Sequence, residues 1–137
     1  MQDFVTAPLR RRLISSGSEF QRVYHYSRAV VVGNQILVSG TTGYDYSTGR
    51  LPNGGRDQTL QLFRNVESAL AKAGATLADV VRVRMYISDP TQYEDIMQVF
   101  ARTFAGIDPA CTTVAAGLFD PAILVEMDMD AIVNAGA

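Results

Sequence analysis

The sequence predicts one α+β domain in which two helices cover one face of a β-sheet. Three observations predict it. The 137 residues are enough for a single hydrophobic core, several runs rich in β-branched residues have the two-residue period of strands, and two longer segments have the period of amphipathic helices. We therefore expect the order β-β-β-α-β-α-β-β, with residues 1–137 as one domain and residues 1–10 as a loose N-terminal segment.

The first half of the chain contains a predicted β-hairpin. A short strand is expected at residues 11–15, and "AVVVGNQILVSG" then holds two β-rich runs. They are joined at Gly33-Asn34, a dipeptide that tolerates positive φ in a two-residue turn, so residues 29–39 are a predicted hairpin. The next stretch, "TTGYDYSTGRLPNGG", is rich in glycine and proline and predicts a loop.

Two helices and a strand follow this loop. From Asp57 to Gly74 apolar residues recur every three or four positions, and Gly74 stands where a glycine ends a helix. "DVVRVRMYISD" alternates apolar and polar residues as a strand does. Asp89 and Pro90 then suit the start of a second helix. The two apolar stripes are Leu60, Phe63, Val66 and Leu70, and Tyr93, Ile96, Met97, Phe100 and Phe104.

The C-terminal part predicts two more strands, residues 112–118 and 122–133, separated by the turn sequence "FDPA". With the helices on one side, the other face of the sheet has to be polar or covered. Residues 30–32 and 36–38 are apolar on both sides of their strands. We therefore expect the second face to pack against other subunits.

Composition excludes several classes of protein. The net charge is −2, and nearly every basic residue is arginine, since Lys72 is the one lysine; a broad basic surface for nucleic acid is not expected. Residues 10–12 are the sole basic cluster, and a solvated edge or a subunit contact explains them better than a phosphate site. No apolar run approaches the roughly 20 residues of a membrane span. One cysteine and the absence of a secretory signal predict a cytoplasmic protein in a reducing compartment.

Three stretches carry a family resemblance: "YSRAVVVGNQILVSG", "AGATLADVVRVRMYISD" and "PACTTVAAGLFDPAILVEM". In this order and spacing the chain resembles, over about residues 15–133, the Rid family of reactive-intermediate deaminases, also called YjgF-like proteins. The resemblance implies a chorismate-mutase-like fold with a mixed sheet, a homotrimer with ligand clefts between subunits, and hydrolysis of enamines or imines to ketones and ammonia. No cofactor or metal is implied.

The resemblance also marks where this chain departs from the family. The family's Pro-Ala-Arg motif, whose arginine grips the substrate carboxylate, has Cys111 in the arginine's place. Met97 stands where better-known members carry an asparagine. The hydrogen bonds between that arginine and a substrate carboxylate are charge-assisted and worth about 1.5 to 3 kcal/mol each. Losing them would weaken substrate binding by about 10- to 100-fold per bond. Arg28, another subunit's arginine, or contacts to a larger apolar substrate would then have to compensate.

The remaining site residues are matched one by one. Glu126 matches the family glutamate that positions the attacking water, and a carboxylate that accepts a proton from water suits hydrolytic deamination. Tyr26 matches a tyrosine that lines the cleft, and Ser39 and Gly40 match the Ser-Gly that ends the hairpin. Backbone groups near Thr112 or Gly40 are expected to receive developing negative charge.

Several alternatives stay open at this point. Cys111 is a small lining residue, a determinant of substrate choice, or a reactive thiolate, which would need a base such as His25, the single histidine. Glu126, Asp128 and Asp130 alternate along a strand, and their spacing of about 7 Å is too wide for one metal ion. For the two aspartates we favour a polar face paired with arginines, such as those at positions 82 and 84.

The function also has alternatives. A hydrolase acting on a delocalised enamine such as 2-aminomuconate agrees better with the missing arginine than one acting on 2-aminoacrylate. A non-catalytic trimeric metabolite-binding protein is the alternative from a different class. Ribonuclease activity agrees poorly with the negative net charge.

Overall fold

The computed structural model describes residues 9–137, which form six strands and three α-helices. The predicted loose segment 1–10 lies almost entirely outside these residues. Two single-turn 3-10 helices, Leu77–Asp79 and Pro90–Gln92, precede β4 and α3. The elements in chain order are β1 (Arg12–Ile14), α1 (Glu19–Tyr24), β2 (Ala29–Val32), β3 (Gln35–Thr41), α2 (Gly55–Lys72), β4 (Val80–Ile87), α3 (Tyr93–Phe104), β5 (Ala110–Ala115) and β6 (Val125–Ile132).

The strands form one mixed sheet in the order β1-β2-β3-β6-β4-β5. Neighbouring strands are antiparallel except β4 and β5, which are parallel. The apolar faces of α2 and α3 pack against one face of this sheet and enclose a single core. This confirms the predicted α+β fold class with its mixed sheet. The largest fully buried apolar side chains are Ile36, Leu62, Leu70, Met85, Ile96, Met127 and Met129.

Three local predictions are confirmed by backbone geometry. Gly33 has a φ of 60° in the turn between β2 and β3. Gly74 has a φ of 81°, and the amides of Gly74 and Ala75 donate to the carbonyls of Ala71 and Leu70 at the end of α2. This is the Schellman arrangement that glycine permits. The Asp89 carboxylate accepts from the Thr91 amide at 2.9 Å and caps the turn that leads into α3.

The structure also differs from the predicted pattern at the edges of the stripes. Leu60 and Tyr93 are exposed, whereas Leu62 and Val99 are buried in their place. Val81 is exposed because the register of β4 against β6 shifts just after Val80. Helix α2 begins two residues earlier than predicted, and β5 begins at residue 110 instead of the predicted 112.

Helix α1 was absent from the predicted order. It is six residues long and buries only Gln21, so it has no apolar stripe to reveal it. It ends at His25, whose φ of 61° lies in the left-handed region. This turn at His25 lies one residue before Tyr26 and directs the chain toward β2.

The face of the sheet opposite α2 and α3 carries a mixture of exposed apolar and charged side chains. Along β6, Glu126, Asp128 and Asp130 point to this face while the intervening residues are buried. Leu37, which pairs with Asp130 in the register of β3 and β6, is 48% exposed. Packing of this face against other subunits stays a prediction. No helix among residues 9–137 is long and apolar enough to cross a bilayer.

Candidate active site

Glu126 lies on β6, between two fully buried residues, with its side chain on the face opposite the helices. On one side its strand partner is Tyr86 of β4. On the other side the register of β3 shifts between Val38 and Thr41, which places Gly40 against the carboxyl group. A Cβ atom at Gly40 would lie 2.5 Å from Glu126 Oε1. Glycine is therefore required here for the carboxyl group to keep its place.

Arg28, the residue immediately before β2, contacts the backbone carbonyl of the same glycine. Its Nη2 donates to the Gly40 carbonyl at 2.5 Å, and its Nη1 donates to the Tyr46 hydroxyl at 3.4 Å. The side chain is 8% exposed, and within the described chain its Nε has no hydrogen-bond partner. Ser39 is fixed beside it, because its hydroxyl donates to the Ser27 carbonyl at 2.7 Å. Ser39 and Arg28 are thus occupied by contacts within the protein.

Electrostatics set Glu126 apart from the other carboxylates of this face. Partial burial raises its pKa, because the ionised form loses hydration. The positive charge of Arg28 acts to lower that pKa, and the negative charge of Asp128 acts to raise it further. The balance favours a carboxyl group that takes up a proton more readily than an exposed glutamate. Such a group can exchange protons with a bound water.

Asp128 and Asp130 are paired with arginines of β4, as predicted. Arg84 Nη1 lies 2.9 Å from Asp128 Oδ1 and 3.8 Å from Asp130 Oδ2. Arg82 Nε lies 4.0 Å from Asp130. The Tyr86 hydroxyl donates to Asp128 at 2.9 Å, and this bond raises the pKa of the tyrosine. Among residues 9–137, no three metal-ligating side chains cluster together.

Cys111 lies on the opposite face of the sheet from Glu126. It pairs with Val83 of β4, a buried residue of the helix-covered face, and its own side chain is exposed because β5 is an edge strand. Its sulfur lies 3.7 Å from the Thr113 hydroxyl. Thr112 does point to the face of Glu126, but two strands away, a lateral distance of about 10 Å. Cys111 and Glu126 therefore do not line one pocket within a protomer.

An open groove of about 420 Å³ runs beside β5 on the helix-covered side. Met97 follows Tyr93 by one helical turn and is partly buried against the core. The groove thus extends toward two residues of the predicted site, Cys111 along the strand and Met97 along the helix. A second groove of about 380 Å³ lies at the end of α2, so volume alone does not mark the site. The first groove is lined by Ile87, Pro90, Tyr93, Thr113, Val114 and Ala115.

Tyr26 is 46% exposed and lines a cleft beside α1. Its backbone amide donates to the Gln21 carbonyl at 3.2 Å. His25, the candidate base for a reactive cysteine, is exposed at the end of α1. Most of the predicted site residues thus form two groups, and Tyr26 and Thr112 belong to neither. The Glu126 group comprises Arg28, Ser39, Gly40 and Glu126, and the Cys111 group comprises Met97, Cys111 and the groove.

Comparison with known proteins places the chain in a family. The family model described as Endoribonuclease L-PSP matches residues 16–133. A RutC family protein of Pyrococcus abyssi is 34% identical over 104 residues, which are 75% of this chain and 82% of that protein. The chain belongs to the Rid (YjgF-like) family. This confirms the resemblance drawn from the three quoted stretches.

Other Rid family proteins match almost the whole chain. The 2-iminobutanoate/2-iminopropanoate deaminase of Dermatophagoides farinae is 30% identical over 125 residues, 90% of this chain and 98% of that protein. A solved structure from Mycobacterium tuberculosis, a member of the YjgF/YER057c/UK114 family, is 41% identical with a TM-score of 0.82. It covers 90% of this chain and 100% of that one. The two chains therefore share their fold over 90% of this chain.

Two residues of the site were missed by sequence reasoning. Tyr86 contacts Asp128 beside Glu126, and its alternation with Arg82 and Arg84 was a usable signal, since all three point to one face. Tyr46 anchors Arg28 but lies in the loop between β3 and α2. No periodicity marks a loop residue, so nothing in the sequence indicated this contact.

Proposed function

We propose that this Rid protein is a hydrolytic deaminase of an enamine or imine, with Glu126 as its acid and base. The single observation that carries the proposal is the half-buried Glu126 carboxyl held against Gly40, with its pKa raised by burial. A carboxyl group whose pKa is raised above its ordinary value is a better proton acceptor than an exposed glutamate once it is ionised. The relatives named as imine deaminases support the same reaction class.

The reaction needs proton transfers at the β-carbon of the enamine, at the attacking water and at the nitrogen. An enamine first takes up a proton at carbon to give the imine. Ionised Glu126 then removes a proton from water as the water oxygen bonds to the imine carbon, and the C=N electron pair moves to nitrogen. Glu126 returns this proton to the nitrogen to give the carbinolamine. The hydroxyl proton is then transferred to the nitrogen as the C=O bond forms and the C–N bond breaks, and ketone and ammonia leave. Backbone amides near Gly40 or Thr112 are the candidate donors to the developing oxyanion.

The cleft is proposed to lie between copies of the chain in a homotrimer. Glu126 and Cys111 point to opposite faces of the sheet, so a substrate that touches both has to lie between two protomers. Tyr26, Ser39 and Gly40 would then line the Glu126 side. Met97, Cys111 and Thr112 would lie on the neighbour's side.

The substrate is proposed to be a longer, delocalised enamine such as 2-aminomuconate. Cys111 offers no charge to a carboxylate, and the groove beside it is lined by apolar, hydroxyl and aromatic groups without a cation. Arg28 is too deeply buried in this conformation to reach a ligand freely. Contacts spread along an extended body would replace the single cationic grip.

Ammonia release from a panel of imines and enamines tests the proposal. Glu126→Gln keeps the shape of the side chain and is expected to slow release by about 10²- to 10⁴-fold, the usual contribution of a general base. Asp130→Asn is the matched control, because it removes a carboxylate from the same strand and face and is expected to keep most of the activity. Equal rates for wild type and Glu126→Gln would remove Glu126 from the mechanism.

A panel without any turnover would favour the alternative of a non-catalytic trimeric metabolite-binding protein. The family description also names a ribonuclease. The net charge of −2 speaks against phosphate-backbone binding. RNA cleavage is expected to disappear on repurification, whereas cleavage that persists and is lost in Glu126→Gln would support the ribonuclease.

A further inference from the structure

We propose that Arg28 is a positioning residue, which fixes the backbone of Gly40 against Glu126 and supplies the positive charge that balances its carboxylate. The catalytic consequence rests on the proposed function of Glu126. The electrostatic consequence does not, because it concerns the protein without substrate. In this role Arg28 acts through Glu126 and makes no contact with the ligand.

The backbone around Arg28 is fixed on both sides. Its amide donates to the Ile14 carbonyl of β1 at 2.8 Å, and its carbonyl accepts from the Ser39 amide at 2.9 Å. From this anchored position the guanidinium spans from the Tyr46 hydroxyl to the Gly40 carbonyl. Gly40 in turn contacts the Glu126 carboxyl group. A continuous path of contacts thus joins Tyr46 to Glu126.

The burial of Arg28 carries an energetic cost that calls for an explanation. Arginine is rarely buried, and a buried nitrogen without a hydrogen bond is destabilising. Arg28 is 8% exposed and its Nε has no partner among the described residues. A glutamine could supply a donor to the Gly40 carbonyl without a charge. What glutamine could not supply is the positive charge.

The charged groups around Glu126 show where that charge acts. Asp128 on the same strand opposes ionisation, although it is itself engaged by Arg84 and by the Tyr86 hydroxyl of β4. Arg28, the residue immediately before β2, favours ionisation. Without it, burial and Asp128 would both disfavour the ionised base.

The sign of the effect follows directly. Removal of a nearby positive charge raises the pKa of a carboxyl group. In Arg28→Gln the pKa of Glu126 therefore rises further, and at mildly acidic pH more of it is protonated and unable to accept a proton from water. The acid limb of the pH-rate profile moves to higher pH, so the rate falls several-fold at mildly acidic pH and much less at alkaline pH.

The test compares Arg28→Gln with Arg102→Gln, which makes the same change in net charge on the exposed surface of α3. The first readout is the carboxyl ¹³C chemical shift of Glu126, titrated by NMR in the absence of substrate. The second is the pH profile of ammonia release. Arg28→Gln is expected to move both midpoints to higher pH, Arg102→Gln to move neither, and Arg28→Lys, which keeps the charge, to restore most of the wild-type midpoint.

Coinciding NMR midpoints for Arg28→Gln and wild type would overturn the proposal. A rate lowered equally at every pH, with an unchanged Glu126 titration, would do the same and would return Arg28 to substrate holding or to structure. If Arg28→Gln does not fold, Arg28→Met provides an uncharged side chain of similar length. If wild type releases no ammonia, the proposed function fails, and the NMR titration still decides the role of Arg28.

Discussion

Gly40 has no Cβ atom, and this leaves space for the Glu126 carboxyl group. The nearest contact of a Cβ built there is Glu126 Oε1, the far end of a flexible side chain, and not the backbone. An alanine would therefore displace the carboxyl group and leave the sheet in place. The position and the acidity of the Glu126 carboxyl group thus depend on two neighbours, a glycine that leaves space for it and an arginine that supplies positive charge.

Gly40→Ala is accordingly expected to lower ammonia release strongly with little loss of stability. A displacement of about 1 Å at a reacting group costs on the order of 10²-fold in rate. Gly117→Ala is the control, because a Cβ at Gly117 meets nothing within 4 Å. Steady-state kinetics and thermal unfolding of both variants check the prediction. A large fall in the unfolding temperature with proportional loss of activity would contradict it.

Glu126 is also expected to lower the stability of the protein at neutral pH. Its pKa is raised in the folded state, so the folded protein binds this proton more tightly than the unfolded chain does. Stability from this group therefore falls as pH rises from the ordinary carboxyl pKa, about 4.3, through the raised folded value.

Glu126→Gln removes that cost of burying a charge. It is expected to raise the unfolding temperature at neutral pH by an amount equivalent to less than about 1 kcal/mol, since the group is half exposed and screened. The gain is expected to disappear below pH ~4, where wild type is protonated as well. Thermal unfolding at several pH values measures it, and a gain independent of pH would point to a cause other than the charge.

At the scale of elements, α2 holds the irregular segments in place through Gln58. This residue is 2% exposed; its Nε2 donates to the carbonyls of Pro52 and Ala122, and its Oε1 accepts from the Leu124 amide. The three bonds join the loop before α2 to the connection between β5 and β6. Gln58 thereby holds the residues that lead into β6, the strand that carries Glu126.

Gln58→Ala is expected to lower the free energy of unfolding by about 1 to 3 kcal/mol, because it leaves partly buried backbone groups without their partners. Gln98→Ala, on the exposed side of α3, is the matched control. Denaturant unfolding gives the free energies. Hydrogen exchange of the Leu124 amide is expected to accelerate in Gln58→Ala, and an unchanged rate would show that the bond contributes nothing.

The elements that the sequence predicted correctly are those with a local physical signal. Gly33-Asn34, Gly74 and Asp89 each carry the backbone chemistry of a turn or cap, and each stands where it was expected. Helix α1 lacks such a signal. The burial of Leu62 in place of Leu60 depends on the direction from which the sheet approaches, which a helical period alone does not determine.

For the site, alternation along β6 predicted the face of Glu126, and the arginine partners of its neighbours followed from β4. The shift of β3 that brings Gly40 to Glu126, and the burial of Arg28, were not predictable. Both depend on contacts between distant segments, and arginine is ordinarily exposed. Roles of the Cys111 group in catalysis stay predictions.

At the scale of the whole molecule, one face of the sheet combines exposed apolar residues with ion pairs. Leu13, Leu37 and Val114 are 59%, 48% and 42% exposed. Such a mixed surface is typical of subunit interfaces. It agrees with the proposed homotrimer, in which this face would be covered.

Leu37→Arg is therefore expected to break the assembly and leave the protomer folded. Leu60→Arg is the control, since Leu60 is also partly exposed but lies on α2, away from this face. Sedimentation measures the mass of both variants, and circular dichroism the fold. Wild type is expected to sediment as a trimer. A wild-type monomer in dilute solution would remove the proposed intersubunit cleft.

Strand β5 is an exposed edge strand in the isolated chain. Within residues 9–137 it pairs with β4 alone, and all six of its residues are exposed, so one row of its amides and carbonyls faces outward. The unpaired edge of a strand can pair with strands of other unfolded or misfolded chains. During refolding, aggregation through this edge would then compete with native assembly. The yield of native protein would fall when chains stay too long as single protomers.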